Sequence, residues 1–179
     1  MEGEHVMQKG VSNATEPARN VGTPGRLPSA EERLKEPGVR LPSLPQPFGT
    51  YAEAVRTGNL PFLSGMLPTE GILAKFLGRV GAEVDVVTGR QATRPAALNG
   101  LAVAHEFLGS LDRIRRVVRL GVALATTEEL REHPKVADGA SDLLQDVFGK
   151  DKNPSRLING VASLPLGTPV ALELIFEVD

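Results

Sequence analysis

The chain has 179 residues, 41% of them hydrophobic, with 20 basic and 22 acidic side chains and a formal net charge of -2. That is room for one domain plus an extension, and the charge balance creates no general field toward nucleic acid or a membrane surface. With no cysteine, no tryptophan and one tyrosine, disulfides, thiol nucleophiles and thiolate metal sites are excluded and the core must be aliphatic.

Residues 1 to 28 are polar and rich in Gly, Pro, Asn and Thr. Too few apolar side chains are present to offset the entropy of ordering, so the expectation is a mobile segment or an irregular strap. Its opening, MEGEHVMQKG, lacks the apolar core of a signal peptide, and no run approaches the ~18 apolar residues of a membrane helix. The reading is a soluble cytoplasmic protein with no membrane partner. SAEERLKEPG, 29 to 38, predicts one short helix with Ser29 as cap, Glu32 at the capping-box position and Pro37-Gly38 as the stop. VRLPSLPQPFG, 39 to 49, is too proline-rich for a central strand and reads as an extended linker. Residues 1 to 48 are thus an extension carrying one short helix, and a folded domain occupies 49 to 179.

TYAEAVRTGNLPFLSGMLP alternates, turns at Thr57-Gly58-Asn59 and alternates again, which predicts a hairpin. KFLGRVG offers a further short strand. From Thr88 or Thr93 to Gly109 the period becomes helical, with Ala97, Leu101, Ala104 and Leu108 on one stripe. Pro95 requires that this helix begin within a turn of it. RIRRVVRLGVALAT, 113 to 126, reads as a buried strand. HPKVADGASDLLQDVFG, 133 to 149, predicts a second amphipathic helix with Val136, Ala140, Leu143, Leu144 and Val147 inward and Gly149 as C-cap. NPSRLINGVASLPLGTPVALELIFEV, 153 to 178, reads as a terminal hairpin turned at Leu-Pro. The order β-β-(β)-α-β-α-β-β predicts an α+β sandwich, a mixed sheet with both helices on one face.

In the last strand Leu172, Leu174 and Phe176 point one way, under the helices, and Ala171, Glu173 and Ile175 the other. The second face is too apolar to stay wet, so a closed homo-oligomer is expected to bury it.

Residues 49 to 179 resemble the RidA/YjgF (reactive intermediate deaminase) family through GTYAEAVRTGNLPFLSGMLP, HPKVADGASDLLQDVFG and SRLINGVASLP...VALELIFEV, in that order. The resemblance implies a chorismate-mutase-like (bacillus type) fold and a homotrimer built around a central barrel, with small carboxylate or imine ligands in inter-subunit clefts. It implies an enamine or imine deaminase acting on 2-aminoacrylate-type intermediates, giving 2-oxo acids and ammonia. Two alternatives stay open: a non-catalytic binder of small carboxylates, and an RNA-active translation inhibitor or endoribonuclease.

Hydrolysis of such an imine needs a held carboxylate, a protonated nitrogen and an aimed water. Arginine holds a carboxylate bidentately, and a nearby carboxylate can orient water and accept its proton. Positioning supplies roughly 7 kcal/mol or more in the best intramolecular cases. No metal or cofactor is required. The resemblance assigns carboxylate binding to Arg156, eight residues before Leu164-Pro165, and to the backbone N–H of Ile158. It assigns water positioning to Glu173, closure of a neighbour's cleft to Tyr51, and to Ser64-Gly65 a polar contact in which the Gly65 carbonyl accepts from the imine nitrogen. From the residues alone, Arg156 is also read as a surface arginine, Glu173 as an edge-strand charge, Tyr51 as a packing residue and Ser64-Gly65 as a strand end.

Three residues depart from the family pattern near the cleft: Met66 where glutamine is usual, Asp138 where asparagine is usual, and Pro154 in place of a histidine. Asp138 disfavours an anionic ligand unless it is paired. Arg113, Arg115, Arg116 and Arg119 form a basic cluster. Without interleaved aromatics it reads as an ion-paired strand face and speaks against nucleic acid as a partner. His5, His105 and His133 share no metal-ligand spacing. His105 reads as structural and His133 as a helix-entry residue.

Overall fold

Strand order, more than strand content, decides where the candidate residues lie. The structure is a computed structural model and describes residues 27–36 and 38–179. The expectations for residues 1 to 26 and for Pro37 fall outside them. Helix α1 (Ala30–Lys35) has both halves of its capping box, Ser29 with the Glu32 backbone and Glu32 with the Ser29 backbone. It buries Leu34 and packs against the second long helix.

Strands β1 (Ala54–Thr57) and β2 (Leu60–Leu63) pair antiparallel around Gly58-Asn59. Gly58 has φ 57, a conformation that glycine adopts without a Cβ clash. A two-stranded ribbon follows, β3 (Thr69–Glu70) with β4 (Leu73–Ala74). The strand expected in KFLGRVG reduces to bridges made by Val80 to Val84 and Thr126.

Helix α2 (Val86–Leu108) starts earlier than the sequence suggested. Asp85 is its N-cap, with Oδ1 accepting from the Thr88 N–H at 2.7 Å. Pro95 lies well inside the helix, where it removes one hydrogen bond. Full burial of Ala92, Ala96, Ala97 and Leu101 along the same helix outweighs that loss. The predicted stripe of Ala97, Leu101, Ala104 and Leu108 is buried as expected.

The remaining elements are β5 (Ile114–Ala125), α3 (His133–Phe148), β6 (Ser155–Val161) and β7 (Val170–Val178). The main sheet runs β1-β2-β7-β5-β6. β6 lies parallel to β5, and β7 lies antiparallel to β5 on its other side. The terminal hairpin therefore does not exist: β6 and β7 flank β5. Helix α3 is a crossover that returns the chain to the start of the sheet, so β6 pairs parallel with the strand before it. A short 3-10 turn at Pro165–Gly167 then carries the chain past the end of β5, where Ala125 N donates to Pro169 O at 3.0 Å.

Helices α2 and α3 cover one face, burying Leu120, Leu172, Leu174 and Phe176 to 1% exposure or less. On the other face the rows Val55–Phe62–Ile175 and Gly121–Glu173–Leu157 lie open in the single chain. Among the described residues no helix is long and apolar enough to cross a membrane.

Candidate functional site

Arg156 stands on β6 opposite Leu120 and faces α3. Its Nη1 donates to Asp138 Oδ1 at 2.7 Å and to Ser141 Oγ at 2.8 Å. Asp138 and Ser141 are three residues apart on α3, so one helix face holds both acceptors. Among the described residues the guanidinium makes no other hydrogen bond or ion pair, so its Nε–Nη2 edge has no polar partner.

Ile158 shares this free edge. Thr126 N donates to Val161 O at 3.1 Å. In a parallel ladder alternate residues turn both backbone groups to the neighbouring strand. Leu157, Asn159 and Val161 therefore bond to β5, and Arg156, Ile158 and Gly160 aim their N–H groups away from the sheet. Arg156 and Ile158, which the resemblance pairs, thus stand two residues apart on one free strand edge.

Farther along the same edge the backbone of Gly160 is bare. A Cβ there would sit 2.9 Å from His133 Nε2 and 3.0 Å from Thr126 Oγ1. These groups border a cavity of about 690 Å³ at the carboxyl ends of β5 and β6, which Arg79 and Arg131 also line. Sequence reading assigned His133 to helix entry alone. Its place beside Gly160 follows from the crossover, which no local pattern announced.

Glu173 lies on the opposite face. Its partner on β5 is Gly121, the residue after Leu120. Glu173 Oε2 accepts from Arg119 Nε at 3.3 Å, and a Cβ on Gly121 would come within 2.8 Å of the same oxygen. Glycine thus makes room for the glutamate. Gly65 and Glu173 line one hollow of about 190 Å³ together with Leu157 and Asn159. The structure therefore brings Arg156 together with Ile158 at the free edge of β6, and Gly65 together with Glu173 on the open face of the sheet. The terminal hairpin expected to carry both Arg156 and Glu173 is corrected: β6 and β7 lie on either side of β5, and the two side chains leave opposite faces of the sheet.

Tyr51 and Ser64 form a third group. Ser64 Oγ donates to Ala52 O at 2.6 Å and Ser64 N to Glu53 O at 2.9 Å, which fixes the loop before β1. The Tyr51 hydroxyl oxygen accepts from Phe48 N at 3.1 Å, and the side chain remains 44% exposed. Burial raises the neighbouring Glu53 carboxyl above the usual carboxylate range. This loop leads into one edge strand of the sheet and Arg156 occupies the other, so the two stand apart within a chain.

Met66 is a core residue at 2% exposure, packed beneath Gly100, and has no place in a cleft. Asp138 is the departure that touches Arg156. The basic cluster is occupied: Arg115 pairs with Asp179, Arg116 with Glu177 at 3.9 Å and Arg119 with Glu173, while Arg113 donates to Leu108 O. His105 Nε2 lies 3.6 Å from Glu31, tying α1 to α2. No cluster of three or more metal-ligating side chains exists among the described residues.

The family model described as "YjgF/chorismate mutase-like, putative endoribonuclease" matches residues 31–178. The chain belongs to the YjgF family. Protein TCP17 of Trypanosoma cruzi is 35% identical over 156 residues, covering 87% of this chain and 96% of its own. A 2-iminobutanoate/2-iminopropanoate deaminase of Dermatophagoides farinae is 27% identical, covering 79% of this chain and 95% of its own. Among solved structures, a protein of Shewanella oneidensis named as an endoribonuclease superposes with a TM-score of 0.81 at 33% identity, covering 84% of this chain and 100% of that one. The family match begins inside α1.

Proposed function

We propose that this YjgF-family chain hydrolyses small 2-imino or enamine acids, of the 2-aminoacrylate type, to 2-oxo acids and ammonia in clefts between copies of a homotrimer. The observation that carries the reading is the open guanidinium edge of Arg156 beside the outward N–H of Ile158. The two form a preorganised, charge-assisted grip for one carboxylate. The similarity to the Dermatophagoides farinae deaminase supports the chemistry.

In this reading a neighbouring copy supplies the rest. Glu173 orients the water, the Gly65 carbonyl accepts from the nitrogen, Tyr51 closes the cleft and Ser64 fixes the loop that carries it. The row Val55–Phe62–Ile175 with Leu157, exposed at Val55 and Leu157 and half-buried at Phe62 and Ile175, gives the copies an apolar face to bury against one another. The test is the rate of 2-oxobutanoate release from 2-iminobutanoate generated in solution. The protein should accelerate it above the spontaneous rate, and an unchanged rate rejects the reading.

A second reading is favoured by Asp138 on Arg156 and by Arg119 on Glu173. Both candidate groups carry an opposite charge already, which suits a non-catalytic binder of small carboxylates. Binding without acceleration in the same experiment selects it. The RNA-active reading gains nothing from the basic cluster, since Arg115, Arg116 and Arg119 are each paired.

A further inference from the structure

We propose that Asp138 makes the Arg156 site select zwitterions, so that it prefers a carboxylate with an adjacent protonated nitrogen over the corresponding 2-oxo acid. The proposal deepens the reading above and rests on Arg156 holding the ligand carboxylate.

Three observations carry it. Asp138 Oδ1 and Ser141 Oγ both sit on Nη1 of Arg156, at 2.7 Å and 2.8 Å, so that nitrogen is committed to α3. The open Nε–Nη2 edge remains a donor fork for a carboxylate. Asp138 Oδ2 has no partner among the described residues, and the side chain is 40% exposed, so a second, acceptor position stands beside the fork.

Charge then decides which ligand fits. The guanidinium and the carboxylate sum to zero, so a ligand of net charge -1 meets a dipole instead of a free cation. A ligand whose carboxylate and protonated nitrogen lie on neighbouring atoms meets an opposite charge at each end. The protonated 2-imino acid is such a ligand. The 2-oxo acid is not, because hydrolysis replaces its nitrogen with a neutral oxygen. The group lost in the reaction is therefore the one that Asp138 senses, and the product is released from a site that holds the substrate. Asp142, the next acid on the helix, is held by Arg90.

A purely structural role explains the pair less well. Its members are 26% and 40% exposed, and ion pairs this exposed contribute little to stability. Asp138→Asn should therefore leave the thermal midpoint within a few degrees of the parent and can be assayed as a folded protein.

The experiment is calorimetric titration of the full chain with 2-aminobutanoate, a stable zwitterion, and with 2-oxobutanoate. The parent should favour 2-aminobutanoate by about fivefold or more. Asp138→Asn should tighten 2-oxobutanoate by about fivefold and weaken 2-aminobutanoate, inverting the order. Ser141→Ala, which removes an acceptor without changing charge, should weaken both alike. An unchanged preference in Asp138→Asn overturns the proposal, as does a parent that binds neither molecule. Arg156→Gln separates this from the underlying reading: loss of both ligands there, with no effect of Asp138→Asn, keeps the arginine and discards the aspartate. Undiminished binding in Arg156→Gln discards the carboxylate site itself.

Discussion

Arg156 and Glu173 leave the sheet through opposite faces although their partners on β5, Leu120 and Gly121, are consecutive residues. A ligand that touches both must lie between two molecules. The proposed reaction needs both groups: one has the cation and the outward amide, the other the carboxylate and the Gly65 carbonyl.

This division predicts complementation between inactive variants. Arg156→Ala and Glu173→Ala should each reduce imine hydrolysis to near the spontaneous rate while keeping the parental circular dichroism. Unfolding and refolding them together as an equal mixture should restore activity, since copies carrying an intact arginine can sit beside copies carrying an intact glutamate. One half times one half gives roughly a quarter of the parental clefts in a randomly mixed trimer. A mixture as inactive as its components would place both groups in one subunit's site.

The apolar row on the open face should carry the assembly. Ile175 pairs with Phe62 on the open face, away from both helices. If the proposed homotrimer buries this row, Ile175→Arg should give a monomer in analytical ultracentrifugation, because an unpaired charge on a buried contact costs several kcal/mol. A sedimentation mass equal to the parent's would move the interface elsewhere.

Close packing of α2 on α3 depends on one missing methyl. A Cβ at Gly139 would lie 2.2 Å from the carbonyl oxygen of Arg90 and 2.4 Å from Thr93 Oγ1. Backbone cannot swing aside as a side-chain tip can. Gly139→Ala should lose about 1–3 kcal/mol of stability or more, measured by urea unfolding, despite alanine's better helix propensity.

The cap of α2 should leave a pH signature. Hydrogen bonds from Thr88 hold the Asp85 carboxyl below its usual value of 3.8. A depressed native pKa means that the charged form stabilises the fold above 3.8, and that this contribution fades as pH falls through the native value. Asp85→Asn keeps a capping oxygen without the charge. Its melting temperature should therefore lie below the parent's at pH 7, and the gap should close as the pH is lowered beneath 3.8. A gap independent of pH would mean that the helix-end charge contributes nothing.

What could be read from the chain was local. Ser29 and Glu32 announce α1, Gly58-Asn59 announces the first turn, and the stripe from Val136 to Val147 announces α3, because caps, turns and helical period act within a few residues. Strand pairing across the sheet is not local. Arg156 and Glu173 read as one hairpin because nothing in the intervening residues records that α3 has already reversed the chain. Pro95 misled for a related reason. Proline marks a helix start on intrinsic grounds, but the buried alanines around it, together with Asp85 upstream, set the boundary. Arg156 and Ile158 were accessible through family resemblance. Ser141, the second acceptor on the same arginine, was not, since its contact depends on how α3 lies over β6.

The place of β7 in the middle of the sheet has a consequence for synthesis. β1 and β2 lie on one side of it and β5 with β6 on the other, so a nascent chain cannot join its two halves until residue 178 has left the ribosome. Until then β2 and β5 each wait with an unsatisfied border, and a translational pause before β7 emerges would extend the period in which those borders are open to other chains.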